Sequence, residues 1–334
     1  MIQEGAVFGF GAHSDISEAA ELLRMAQEAD RDGLDIFSLS DHPYLGGRLD
    51  AYASIGFVLG GTRRIAGFAN VTNLPTRPAP MLARAVTSLS ALSGGRVVLG
   101  MGAGGLWDRI SDMGVPRLSP GAAVDAFEEA IILVKMLSGG GSPVSYQGEH
   151  YRVDRIDPAP VPAPPVWTGS VGRKSLAATG RVADGWIPGH AADWLSPRYR
   201  DSRPVIDDAA AAAGRDPREI RTIFNFPGQV TERPLLATRD RDGRWIGGSP
   251  ASGPRNLPAP CWNTASPASC SSHRGRDTPT PTPSPLGRRD RPGRTRGDRE
   301  GKGMTAPALP GQEAGEQGAR RPPLTEQVRR RKAA

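Results

Sequence analysis

Four short clusters in this chain combine residue types that can do chemistry. Asp41-His42 follows Asp35-Ile-Phe-Ser-Leu-Ser40. Asn70 and Val71 sit near the end of Arg64-Ile-Ala-Gly-Phe-Ala-Asn-Val-Thr-Asn73. Gly102-Ala-Gly-Gly-Leu-Trp-Asp108 follows the apolar run Val97–Met101, and Gly169-Ser-Val-Gly-Arg173 follows Pro165-Val-Trp-Thr168. A histidine at a strand end can act as acid or base near neutral pH, or simply pack or hydrogen-bond there. Asp41 can hold its tautomer or bond a ligand. Glycines such as Gly104 let the backbone turn sharply and let a ligand come close, or they serve only a tight strand-to-helix loop. Trp107 offers a flat apolar surface that can wall a substrate pocket or cap the core, and Asp108 offers a carboxylate. Ser170, Val171 and Gly172 lead into a predicted helix, whose first N–H groups favour an anion, and Arg173 can add a bidentate contact. The alternative for that segment is a plain turn. Arg77 and Arg84 read as solvated or structural.

Each cluster ends an apolar run, so a repeated strand-then-helix unit must position it. Strands are predicted over 7–13, 35–40, 64–73, 97–101, 165–170, 185–189 and 220–226. Between Glu18 and Asp32, Ala19, Leu22, Leu23, Ala26 and Ala29 fall on one helical face, with Ser17 as candidate N-cap and Gly33 as the stop. Further helices are predicted over 50–59, 79–92, 120–137, 172–181 and 194–213. Ser119-Pro120 supplies an N-cap and a proline at the first turn. Residues 138–164 break the rhythm and read as an insertion, with Tyr146–Val153 as a hairpin arm. Alternation of this kind implies a parallel sheet with helices on its faces. At roughly 30 residues per unit it fits a (β/α)8 TIM barrel over residues 1–250, in which all four clusters converge on one mouth.

The charge is uneven. The 334 residues carry 42 Lys+Arg and 35 Asp+Glu, but residues 251–334 alone hold 16 basic and 7 acidic residues. The remainder is slightly acidic, so a nucleic-acid role would rest on the tail alone, non-specifically. No run of ~18 apolar residues is present, so no membrane span is expected. The first residues lack a basic start and apolar core, which points to the cytoplasm. Cys261 and Cys270 have no metal-ligand spacing around them, and no metal is expected. The tail holds 13 of the 32 prolines, including Thr-Pro-Thr-Pro-Thr-Pro-Ser-Pro at 278–285. Such a segment buries too little apolar surface to offset its ordering entropy, and disorder is expected over 251–334. Ser249-Pro250 reads as a helix start with no helix after it. No eighth strand is legible, which would leave the barrel with an open edge. A shifted reading frame replacing the seventh helix and eighth βα unit accounts for the tail; the alternative is a genuine disordered basic extension.

Phe37-Ser-Leu-Ser-Asp-His-Pro43, Val71-Thr-Asn-Leu-Pro-Thr-Arg-Pro78, Leu92-Ser-Gly-Gly-Arg-Val-Val-Leu-Gly-Met-Gly-Ala-Gly104 and Gly169-Ser-Val-Gly172 with Gly180-Arg-Val-Ala-Asp-Gly-Trp186 resemble the luciferase-like monooxygenase family, in this order, between about residues 5 and 250. The resemblance implies a TIM barrel and an oxidoreductase that uses coenzyme F420, or alternatively FMN with a separate flavin reductase and O2, on a small organic substrate. It implies that His42 stands near the reacting ring carbon, that Asn70-Val71 forms a non-prolyl cis bulge behind the ring, and that Ser170, Val171, Gly172 and Arg173 take the cofactor phosphate. It also implies a homodimer. Family contacts from the last βα units fall in the aberrant tail. Two readings compete: an inactive product whose basic tail binds polyanions, and a barrel hydrolase, for which no carboxylate pair can be placed.

Overall fold

The computed structural model describes residues 6–249 and the backbone of residues 268–272. Short strands alternate with amphipathic helices, as the spacing predicts. The strands are β1 (Val7–Gly11), β2 (Ile36–Leu39), β3 (Ala66–Ala69), β4 (Thr72–Asn73), β5 (Leu99–Gly102), β6 (Val144–Gln147), β7 (Arg152–Ile156), β8 (Val166–Thr168), β9 (Gly185–Trp186), β10 (Arg221–Phe226), β11 (Gln229–Val230), β12 (Gly247–Gly248) and β13 (Ala268–Ser272). The helices are α1 (Ala19–Arg31), α2 (Ala51–Gly60), α3 (Ala79–Ser93), α4 (Trp107–Asp112), α5 (Pro120–Met136), α6 (Arg173–Val182) and α7 (Pro197–Ala212).

One parallel sheet runs in the order β3-β2-β1-β13-β10-β9-β8-β5-β4. β3 and β4 are two halves of one barrel strand. β4 pairs with β5, and Gly67 of β3 bridges to Val97 just before β5, so the sheet returns on itself. The barrel expected from the alternation is therefore present. The expected open edge is closed: the backbone of β13 lies parallel between β1 and β10 and fills the slot of an eighth strand. Sequence pattern reports which residues suit a buried strand, whereas ladder hydrogen bonds come from the backbone and place few demands on side chains. The rest of the expected disordered segment, and Pro250 of the expected helix start, lie outside the described residues.

Two apolar layers hold the barrel. Inside it, Val7, Ile36, Ala66, Phe68, Val98, Trp167, Ile187 and Ile223 form one buried cluster, with Phe68 edge-on to Trp167 at 5.2 Å. Outside it, the opposite faces of the strands meet the helices through Leu39, Ile55, Val58, Leu82, Val86, Phe127, Ile131 and Val134. Strands buried on both faces read as continuous apolar runs, which is why they were legible.

Four local expectations change. Ser17 lies within a 3-10 turn, Ile16–Glu18, and α1 begins after it without a side-chain cap. α7 starts at Pro197 and not at Trp194, because the Ser196 side chain caps it by accepting from the Tyr199 N–H. The third strand is interrupted at Asn70-Val71. The glycine-rich loop after β5 contains α4, a helix too short to show a period. An antiparallel β6–β7 hairpin lies between α5 and β8, and the segment read as one arm, 146–153, spans its turn with the ends of both strands. Glu129 of α5 anchors it by accepting from the backbone N–H groups of Glu149, His150 and Tyr151.

Candidate active site

The carboxyl ends of the strands open into two cavities that share Asn70, Val71 and Gly169. The first, about 340 Å³, is lined by Asp41, His42, Tyr44, Asn73 and Gly102–Leu106 among others. The second, about 430 Å³, is lined by His13, Ser38, Ser40, Arg48, His190 and Asn225 among others. Val71 stands between them. Room for its side chain comes from two glycines on neighbouring strands: a Cβ on Gly102 would lie 2.7 Å from Val71 Cγ2, and one on Gly169 would lie 3.2 Å from both Val71 methyls. The Asn70–Val71 peptide is cis, the geometry that the resemblance implies. The Asn70 amide donates to Asn225 Oδ1 at 3.1 Å, tying the bulge to β10.

His42 is held by a residue that the sequence reading did not single out. Its Nδ1 lies 2.7 Å from the Tyr44 hydroxyl, two residues on. Burial, with a smaller push from the Asp41 charge, raises the Tyr44 phenol above its ordinary value, although a hydrogen bond with Asn73 works against this. The phenol is therefore protonated at neutral pH.

Asp41 does not partner His42. Its carboxylate, almost wholly buried, accepts from Arg77 Nε and Nη2, both at 2.8 Å, and from the Asn73 backbone N–H at 3.0 Å. Arg77 reaches on to Asp50 at 2.6 Å, the residue that caps α2, and lies over the Tyr52 ring at 4.8 Å. Burial opposes the Arg77 charge, but the two carboxylates outweigh it and hold the guanidinium pKa above its ordinary value. Asp41 therefore anchors the loop that carries His42. The only sequence signal for this was a lone arginine in the Leu74–Pro78 loop. Arg84, the other weak candidate, donates to the Asp157 carbonyl.

Gly104, at φ +102°, lines the His42 cavity, and a Cβ there would meet Pro75 at 2.7 Å. Trp107 packs against Gly104 at the start of α4. Asp108 lines neither cavity; its exposed carboxylate pairs with Arg117 at 2.7 Å. The glycine-rich loop turns Asp108 outward once α4 begins. Ser170 is buried: its hydroxyl accepts from Thr179 Oγ1 and its carbonyl from the Trp186 indole. The exposed surface of that segment is Val171, Gly172 and Arg173. Gly172 is the N-cap residue of α6 and offers no side chain to the first N–H groups. Among the described residues, no ion pair or hydrogen bond holds Arg173. At the rim of the larger cavity His13, Asp15 and Glu18 bring their ligand atoms within 4.8 Å of one another, with Asp15 ion-paired to Arg48 at 3.2 Å. Among the described residues no helix is long and apolar enough to cross a membrane.

A (β/α)8 barrel with a histidine, a bulged third strand and a glycine-rich fourth strand at its mouth defines the class. The sequence matches the luciferase-like monooxygenases over residues 6–315, past the point where the motifs end, and the chain belongs to that family. It is 28% identical over 228 residues to an F420-dependent glucose-6-phosphate dehydrogenase of Nakamurella multipartita, covering 66% of each chain. It is 32% identical over 219 residues to an F420-dependent hydroxymycolic acid dehydrogenase of Mycobacterium tuberculosis, covering 60% of this chain and 56% of that one. The chain thus spans about two thirds or less of the length of these curated relatives. Among solved structures it resembles an F420-dependent secondary alcohol dehydrogenase in complex with an F420-acetone adduct, at TM-score 0.65 and 17% identity, over 80% of this chain and 93% of that one. At that identity the likeness is one of fold.

Proposed function

We propose that this chain is an oxidoreductase that moves a hydride between coenzyme F420 and a small organic substrate at the barrel mouth. The observation that carries the reading is His42, held by Tyr44 in a cavity walled by Val71 and a glycine floor. The residues suit such a cofactor: Val71, backed by Gly102 and Gly169, presents a flat apolar surface, and the uncapped start of α6 with Arg173 offers donors to a phosphate. When bound, the deazaflavin supplies or accepts the hydride. Asn70, Val71 and Gly104 contribute the surface for the ring, and Val171, Gly172 and Arg173 contribute the anion contacts. His42 moves the proton that accompanies the hydride, while Tyr44 fixes the imidazole. Asp41 and Arg77 hold the loop, and Trp107 supports Gly104 at the rim. Family membership and the F420-dependent relatives support this reading; FMN is the alternative cofactor. A homodimer is part of the proposal, on family membership alone.

Titration of the full-length chain with F420 and, separately, with FMN, followed by cofactor fluorescence, tests the assignment. Saturable binding of F420 is expected, and His42→Ala should keep that binding and lose turnover. Binding of FMN alone replaces the cofactor and brings in a partner reductase, and binding of neither overturns the reading.

A further inference from the structure

The segment that turns from β8 into α6 has two sides. Val171, Gly172 and Arg173 are exposed, and no side chain caps the first N–H groups of α6. The other side is Ser170, 3% exposed, whose polar side-chain and carbonyl atoms are both engaged from within the protein. The Trp186 indole donates to its carbonyl at 2.9 Å, and Thr179 Oγ1 lies 2.9 Å from its hydroxyl. Trp186 and Thr179 are themselves fully buried.

Thr179 has more partners than its helix requires. A helical threonine usually bonds the carbonyl four residues back, and here Oγ1 lies 2.9 Å from the Ser175 carbonyl. It also lies 2.7 Å from Thr168 Oγ1. Without the Thr179 hydroxyl, Thr168 keeps the Gly185 carbonyl, at 3.4 Å. The Ser170 hydroxyl keeps nothing, because among the described residues no other group bonds it. A buried hydroxyl without a partner is costly. The water that would satisfy it lies on the exposed side of the segment, where Val171 and Gly172 stand. Ser170 would therefore turn outward, and the backbone that faces a ligand there would turn with it.

We infer that Thr179 is a positioning residue for anion binding at the start of α6. It keeps Ser170 facing inward, so that the cofactor phosphate is taken by backbone N–H groups and Arg173 and not by the serine hydroxyl. The inference rests on the F420 reading. Thr179 touches no ligand and acts through Ser170 alone. Its effect is confined to the phosphate end of the cofactor, because Val71 and Gly102, which contribute the surface for the ring, stand at the ends of other strands.

The test is a fluorescence titration of the full-length chain with F420 and with the same deazaflavin lacking its phosphate. Thr179→Val keeps the shape and removes the hydroxyl. It should weaken F420 binding on the order of tenfold and leave binding of the phosphate-free compound unchanged. Thr179→Ser, which keeps the hydroxyl, should match the parent. Ser170→Ala should also match it, because Thr179 still has the Ser175 carbonyl. Thr179→Val combined with Ser170→Ala should recover F420 binding, because no orphan hydroxyl remains. Equal losses for the two compounds, unchanged F420 binding in Thr179→Val, or no recovery in the double variant would overturn the inference. A loss in Ser170→Ala alone would make the serine itself the phosphate ligand and overturn it as well. Circular-dichroism melts show which variants fold, and if Thr179→Val does not, the Ser170→Ala titration decides. Failure of the parent to bind either compound instead removes the F420 reading on which the inference stands.

Discussion

Removing Arg77 separates a structural Asp41 from a chemical one. In Arg77→Ala the Asp41 side chain, 1% exposed, keeps only the Asn73 N–H and has no counter-charge. Breaking a buried pair by removing one partner costs about 3–5 kcal/mol, because the remaining charge is desolvated and unmatched. The substitution also removes the Arg77–Asp50 contact at the start of α2, but that pair is more exposed and adds little. At roughly 2–4 °C per kcal/mol for a domain of this size, the melting temperature should fall by about 10 °C. Asp41→Asn leaves Arg77 with Asp50 and with partial access to water, so its cost should be smaller, on the order of 1–2 kcal/mol. The double variant should be less destabilised than the sum of the singles, since it contains no orphan carboxylate. Thermal melts followed by circular dichroism, with F420 titrations on the same samples, measure all of this. A cost below about 1 kcal/mol for Arg77→Ala, or loss of turnover in Asp41→Asn at unchanged stability and cofactor affinity, would show that Asp41 acts on ligand and refute its assignment as an anchor.

Tyr44→Phe removes one hydrogen bond to the His42 ring, worth about 1 kcal/mol, and should lower kcat about fivefold and shift the pH–rate profile, with little change in KM; an unchanged profile excludes a positioning role. Gly102→Ala puts a methyl 2.7 Å from Val71 Cγ2; overpacking of this kind costs about 1–3 kcal/mol, and F420 affinity should drop as Val71 shifts, which the same fluorescence titration reads. Asp30 supplies the pH prediction. Burial alone would raise its carboxyl, but the backbone N–H groups of Arg63, Ile65 and Arg64 overcome this and hold it below its ordinary value. A depressed carboxyl stabilises the fold above the unfolded-state pKa of about 3.9, and that stability is lost as pH falls through the lower, folded value. Urea midpoints measured from pH 6 down to pH 3 should therefore fall more steeply in the parent than in Asp30→Asn.

What the sequence shows and what it hides divide by the range of the interaction. The strand ends are legible because an apolar run followed by glycine or a polar pair is a local signal, repeated at each barrel strand. His42, Val71 and Gly104 are found that way, and the barrel brings them to one cavity. Asp108 and Ser170 follow the same rule yet face solvent and the protein interior, respectively. Local spacing fixes their distance along the chain, while the start of α4 and the Thr179 hydroxyl decide their direction. Arg77 lies 36 residues from Asp41, and Asn70 meets Asn225 across 155; neither pairing has a local trace. The eighth strand is hidden for a different reason. Ala268-Ser-Cys-Ser-Ser272 sets only two small apolar residues among serines, too faint a pattern to read as a strand, yet its backbone satisfies the donors and acceptors that β1 and β10 would otherwise present as open edges. Seven legible strands create that slot, and their unpaired edges are what the eighth answers. The candidate chemistry stands on strands β2 to β5 and the start of α6, and none of those strands pairs directly with β13. A substitution that weakens β13 pairing should therefore act on stability before it acts on the geometry around His42.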